Sequence, residues 1–122
     1  MTAVDPAPEA VYLAHLAAGR LMLQRDPATG ACVFPPRLRA PGTGAPLGPW
    51  VAVSGFGTVH AVTVQYARPP AAPRAIVLVD LDEGGRMLSE AIVSDPEAMR
   101  IGDRVRARIV ADPLRVVFEP AP

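Results

Sequence analysis

"WVAVSGFGTVHAVTVQYA", residues 50–67, changes the texture of the chain. Upstream the text is crowded with proline, glycine and alanine. Here β-branched and aromatic residues take over, the composition of a half-buried strand. Gly55 and Gly57 interrupt it, and a strand so interrupted bends, at a bulge or a barrel corner. The reading is one long bent strand. Toward the C-terminus, "ARPPAAPR" (67–74) is a loop and "AIVLVDLD" (75–82) a nearly continuous apolar strand. "DEGG" (82–85) is a turn, and "RMLSEAIV" (86–93) returns from it as the second arm of a hairpin. "SDPEAMRIG" (94–102) reads as a capped single helical turn stopped by glycine, and "DRVRARIVAD" (103–112) alternates polar with apolar. Pro113 breaks that run, and "LRVVFE" (114–119) is the last strand. Five strands, the first bent, with a helical turn between the third and fourth, predict a small barrel in the order of an OB-fold. Periodicity leaves other small β-barrels open.

Toward the N-terminus, "RDPATGACVFPPRLRAPGTGAP" (25–46) has two glycine-bearing turns around a short apolar run and a proline pair. That is the layout of two facing metal-ligand knuckles. The chain's one cysteine, Cys32, lies between the turns and not in them. Composition alone makes this segment a linker. "RLMLQR" (20–25) reads as a strand entering it. "DPAPEAVYLAHLAAG" (5–19) reads as a helix capped by Asp5, begun by Pro6 and stopped by Gly19, with Leu13, Leu16 and Ala17 on one stripe and Tyr12 beside it. So short a helix must pack on something, its own domain or a partner. The organisation expected is a helix and strand over 1–24, the knuckle segment over 25–49 and the barrel over 50–122.

With 122 residues the chain suits one modest domain, and its apolar half suits a folded core. Twelve basic and twelve acidic residues cancel, which argues against a protein built to neutralise nucleic-acid backbones. Every basic residue is arginine, so Schiff-base lysine chemistry and a P-loop lysine are excluded. One cysteine forms no internal disulfide. No apolar run reaches the roughly 20 residues of a membrane span, and no signal peptide is read at the N-terminus. A cytoplasmic location, without membrane or nucleic acid, is the expectation.

No catalytic constellation stands out. Arg104, Arg106 and Arg108 alternate on one strand and share a face, with Arg115 on the next strand. They suit CoA phosphates, an acidic patch on a partner, or plain solvent. His15 and His60 have no evident nucleophile or orienting acid. Cys32 reads as apolar filler beside Val33. Asp80, Asp82 and Glu83 cluster at a hairpin as turn formers or as an acid–base or metal set. "GTGAPLG" (42–48) lacks the strand and helix of a phosphate loop. Phe34, Pro35, Pro36, Arg37 and Trp50 form either a rigid contact surface for a partner or pins that fix the knuckle segment to the barrel.

In order along the chain stand "GRL" (19–21), "FPPR" (34–37), Trp50, "SGFGTV" (54–59), "VDLDEG" (79–84), "DPEAMRIG" (95–102) and "VVFEP" (116–120). Together these resemble the family of small proteins, long of unknown function, with an N-terminal helix, a rubredoxin-like zinc ribbon and a C-terminal OB-fold that accompany acyl-CoA enzymes. The resemblance runs from about residue 10 to the end. In its register the four metal ligands fall on Asp26, Thr29, Ala40 and Thr43, with Gly30, Pro41 and Gly44 in place around them. Tetrahedral zinc needs four nitrogen, sulfur or oxygen donors, and alanine has none to give. The resemblance therefore implies a metal-free ribbon, held by packing of Val33, Phe34 and Leu38 and by stiff prolines. It further implies an auxiliary subunit without catalytic residues or a cofactor of its own, in lipid or steroid metabolism. Such a subunit would form a hetero-oligomer with a thiolase-like enzyme, a retro-aldolase or a hot-dog-fold hydratase, and help build a site or channel for a CoA thioester. The alternatives are a single-stranded nucleic-acid-binding OB module, disfavoured by six scattered aromatics, and a small thioesterase using His60 or Asp80.

Overall fold

The computed structural model describes residues 7–122. The expected cap Asp5 and first-turn Pro6 lie outside that range. Helix α1 spans Pro8–Ala17, turning Tyr12 and Leu16 inward while Leu13 stays exposed. Gly19 follows at φ +83, the left-handed stop its position required.

Two sheets follow. The smaller has three strands in the order β2–β1–β3: β1 Met22–Arg25, β2 Cys32–Val33 and β3 Trp50–Ala52. The larger is a closed barrel of β4 Phe56–Gln65, β5 Arg74–Leu81, β6 Arg86–Ala91, β7 Arg104–Val110 and β8 Arg115–Pro120. β4 pairs antiparallel with both β5 and β7, and the ring closes where β6 meets β8 in parallel at Ala91 and Phe118. A 3₁₀ turn, Pro96–Ala98, joins β6 to β7, capped by the Asp95 carboxylate on the Glu97 N–H. This is the OB-fold order the strand pattern predicted, helical turn included.

The stretch 50–67 is not one bent strand. Its first three residues pair with β1 in the small sheet, with Gln24 opposite Trp50. The chain leaves that sheet through Gly55, at φ +85, and re-enters as a barrel strand. Gly57 is needed for closeness: a Cβ there would stand 2.6 Å from Val79 Cγ1. The irregularity in the ladder falls later than the glycines, between Val59 and Ala61, and leaves His60 unpaired on the surface. Alternation then fills the barrel: Ala75, Val77, Val79 and Leu81 point inward from β5, against Val59, Met87, Val105 and Phe118.

Candidate functional site

Residues 25–46 form a ribbon of two matching knuckles. In the first, the Gly30 N–H donates to Asp26 O at 2.7 Å; in the second, the Gly44 N–H donates to Ala40 O at 3.0 Å. All three of the ribbon's knuckle glycines, Gly30, Gly42 and Gly44, have positive φ. Side-chain oxygens complete each turn: Asp26 Oδ1 accepts from Ala28, Thr29 Oγ1 from Ala31 and Thr43 Oγ1 from Ala45. These are the local side-chain-to-backbone bonds that let Asp and Thr shape a turn.

The four positions that the resemblance assigns to metal ligands, Asp26, Thr29, Ala40 and Thr43, do not fit a structural zinc. The Asp26 carboxylate is buried and committed to a backbone N–H, and Ala40 is a buried methyl. Two threonine hydroxyls complete the set, and zinc sites are built from thiolate, imidazole and carboxylate. Among the described residues no three His, Cys, Asp or Glu side chains converge as a metal cluster.

Gln24 holds the ribbon, a role no pattern in the sequence suggested. It sits on the central strand β1 and is buried. Its Nε2 donates to Arg37 O at 2.7 Å and its Oε1 accepts from Arg37 N at 2.9 Å. The pair brackets the backbone of "FPPR" from both sides. The available signal was a glutamine inside a short strand, after Met22 and Leu23 and before Arg25. Gly48 closes the far end: its N–H donates to Arg25 O at 2.7 Å, where a Cβ would stand 2.9 Å from the same oxygen.

Phe34 and Trp50 both act as internal pins. Phe34 is half-buried against Tyr12, ring centroids 5.6 Å apart, and Trp50 stands 5.9 Å from His15. Helix α1 therefore packs on its own chain. Pro35 and Arg37 are exposed and Pro36 half-buried. Leu38 departs from expectation. It does not pack under the ribbon but stands 81% exposed, because the Gln24 bracket fixes the backbone and turns that side chain outward.

The ribbon seats on the β5–β6 hairpin. Cys32 N donates to Glu83 O at 2.9 Å, and a Cβ on Gly84 would meet both Cys32 N and Cys32 O at 2.9 Å. Between ribbon and hairpin lies an open cleft of about 470 Å³ bordered by Phe34, Arg37, Pro41, Asp80, Gly85 and Arg86. Cys32 is buried on β2, and burial pushes its thiol up, as befits filler.

The arginine strand is present, with all three side chains exposed on one face. Each is met by a carboxylate of this chain. Arg104 holds Asp82 with two bonds of 2.7 Å and also donates to Thr58. Arg106 donates to Glu119 at 2.9 Å, and Arg108 stands 3.7 Å from the same carboxylate. Arg115, at the far end of β8, donates to Pro113 O. Hydrogen bonds from Arg104 and Arg86 hold the Asp82 and Asp80 carboxyls below their ordinary range. Glu83 accepts from Ser54 N at 2.7 Å. The three acids of the hairpin thus have separate partners.

The fold brings His60 and Asp80 together at 3.5 Å, on the barrel surface. Arg86 occupies the same place, donating to both Asp80 oxygens and lying 3.4 Å from His60 Nδ1. His15, on α1, faces Arg20. Neither histidine meets a hydroxyl or a thiol among these contacts.

A family model described as the C-terminal OB-fold domain of ChsH2 matches residues 50–110. Over its whole length the chain is similar to a chain of equal coverage in a structure described as the Ltp2–ChsH2(DUF35) aldolase. The two are 27% identical, with a TM-score of 0.77. A DUF35-family protein of unknown function from Sulfolobus solfataricus shares the fold at 15% identity and a TM-score of 0.71, over 92% of this chain and 84% of that one. No curated protein matches by sequence.

Proposed function

This chain belongs to the family of ChsH2 C-terminal OB-fold domains, and from that premise we propose that it is a non-catalytic subunit of an acyl-CoA aldolase assembly. One observation carries the reading. The full-length structural likeness is to a chain of an aldolase whose description names two components, Ltp2 and ChsH2. The site chemistry supports it. His60 and Asp80 are braced by Arg86 on an exposed sheet face, and a general base needs a substrate proton within reach in a sheltered pocket. The partner, an aldolase of the Ltp2 type, then carries the reacting groups, and this chain contributes surface and shape. A thiolase-like or hydratase partner has no comparable support.

Within that assembly we assign docking to the exposed part of "FPPR", Pro35 to Arg37, because prolines and the Gln24 bracket present it at little entropic cost. The CoA thioester then lies at the junction of the two proteins. Arg104, Arg106 and Arg108 are poor candidates for gripping its phosphates, since their charge is already answered within the chain.

The test is co-expression with the Ltp2-type aldolase of the source genome, followed by size-exclusion chromatography with light scattering. A co-eluting hetero-oligomer is expected. Separate elution at micromolar concentrations would count against the reading.

A further inference from the structure

We infer that the ribbon tip Arg37–Leu38–Arg39 is the anchor of the protein–protein interface, and that it fits an apolar pocket rimmed by carboxylates on the partner protein. This rests on the auxiliary-subunit reading and adds to it the chemistry of the opposing surface.

The zero net charge of the chain conceals a division. Residues 20–49 carry Arg20, Arg25, Arg37 and Arg39 against one acid, Asp26, a surplus of three positive charges. The compensating negative surplus is carried by residues 1–19 and 50–122. Asp26 offers nothing outward, being buried with Oδ1 on the Ala28 N–H. The arginines found in ion pairs among the described residues are Arg74, Arg86, Arg104, Arg106 and Arg108, all of the barrel. Arg25, Arg37 and Arg39 are exposed and have no carboxylate within 4 Å among those residues. Arg68, Arg100 and Arg115 are likewise outside the ion pairs, but they lie apart in separate loops and at a strand end, whereas the ribbon sets Arg37 and Arg39 on either side of one residue.

Leu38 stands in the middle of it, at 81% exposure the most exposed large apolar side chain among the described residues. A single exposed leucine is ordinary. This one sits on a braced backbone. Arg37 is bracketed by Gln24, Arg39 bridges to Pro46, and the Arg39 guanidinium donates to Gly44 O at 3.2 Å. An apolar knob ringed by arginine on a preorganised loop has the composition of an interface anchor, where Arg is enriched and Lys depleted.

Two features favour an acidic protein surface over the phosphates of a nucleotide. In the cleft that Arg37 borders, Asp80 and Arg86 answer each other, which leaves Arg37 as the one bordering arginine without a carboxylate partner among the described residues, too little to grip a dianion. The exposed leucine has no counterpart in a phosphate.

The test uses the full chain and the Ltp2-type aldolase. Affinity is measured by titration calorimetry at several salt concentrations for wild type, for the triple variant Arg37→Glu/Leu38→Asp/Arg39→Glu, and for the barrel control Arg106→Ala/Arg108→Ala. The mutated tip side chains are exposed and the Gln24 bracket acts on backbone, so only the exposed Arg39–Gly44 bond is lost and the triple variant should keep the wild-type circular dichroism and a thermal midpoint within a few degrees of wild type. The expected result is a loss of roughly 100-fold or more for the triple variant and less than about 3-fold for the control. Wild-type affinity should weaken steadily with added salt. A complex formed by the triple variant with wild-type affinity would overturn this inference and leave the auxiliary-subunit reading standing. Failure of the wild type to bind would overturn both. Free CoA bound by wild type and lost in the triple variant would reassign the tip to phosphate and likewise overturn it.

Discussion

Gln24 shows how one side chain can hold a ribbon without a metal. Zinc in a ribbon fixes two turns against each other; here an amide on the central strand holds the intervening segment with two hydrogen bonds. Each such bond is worth about 1 kcal/mol net, more when the partner left behind is shielded from water. Gln24→Leu keeps the volume and strands both polar groups of Arg37. It should cost about 2–3 kcal/mol and lower the thermal midpoint by roughly 5–10 °C. Urea unfolding with an unchanged slope would confirm a stability effect, and an unchanged midpoint would remove Gln24 from the account.

Tyr12 gives a second residue-level prediction. Burial raises its phenol to about 12. The unfolded chain loses that proton near 10, so between pH 10 and 12 the folded state binds more protons and stability falls as pH rises. Tyr66 is also shifted upward, by its hydrogen bond to Glu97. In Tyr66→Phe the remaining phenol should therefore titrate near 12 by ultraviolet difference absorbance. Ionisation near 10 would mean that α1 does not cover it.

At the scale of elements, the ribbon and the barrel meet through the β5–β6 turn. Gly84 combines φ +102 with a place where an added Cβ would stand 2.9 Å from the Cys32 backbone, whereas Gly102 has φ +94 and open space. Alanine at Gly102 should cost about 1 kcal/mol from backbone strain alone, and alanine at Gly84 about 2–4 kcal/mol because the ribbon must also shift. Equal costs by chemical denaturation would show that the ribbon does not seat there.

The barrel strands were legible because alternation along "AIVLVDLD" and "DRVRARIVAD" reports burial directly, and the 3₁₀ turn because Asp95 and Pro96 write its cap. The passage of residues 50–52 into another sheet was not, since strand composition says nothing about which neighbour a strand takes. Nor was the fate of Leu38, which depends on Gln24, fourteen positions away. The pairing of Arg104 with Asp82 across β4 requires a register that only the closed barrel sets.

For the whole molecule, charge is the quantity that a sequence total hides. Twelve and twelve cancel in the sum, yet the ribbon holds a positive surplus while five barrel arginines, Arg74, Arg86, Arg104, Arg106 and Arg108, are answered by carboxylates of this chain. The family was legible through seven short motifs in order. The location of the unanswered arginines was not, because a one-dimensional string records charges and not their partners. A braced tip that sets an exposed leucine between two arginines without carboxylate partners among the described residues is suited to be held by another protein.

Retro-aldol turnover of an acyl-CoA aldol substrate tests this most directly, measured with the purified chain alone, the Ltp2-type aldolase alone and the two mixed at equal concentration. Turnover by the mixture and none by this chain is the predicted result. Turnover by this chain alone, lost on changing His60 or Asp80, would contradict it.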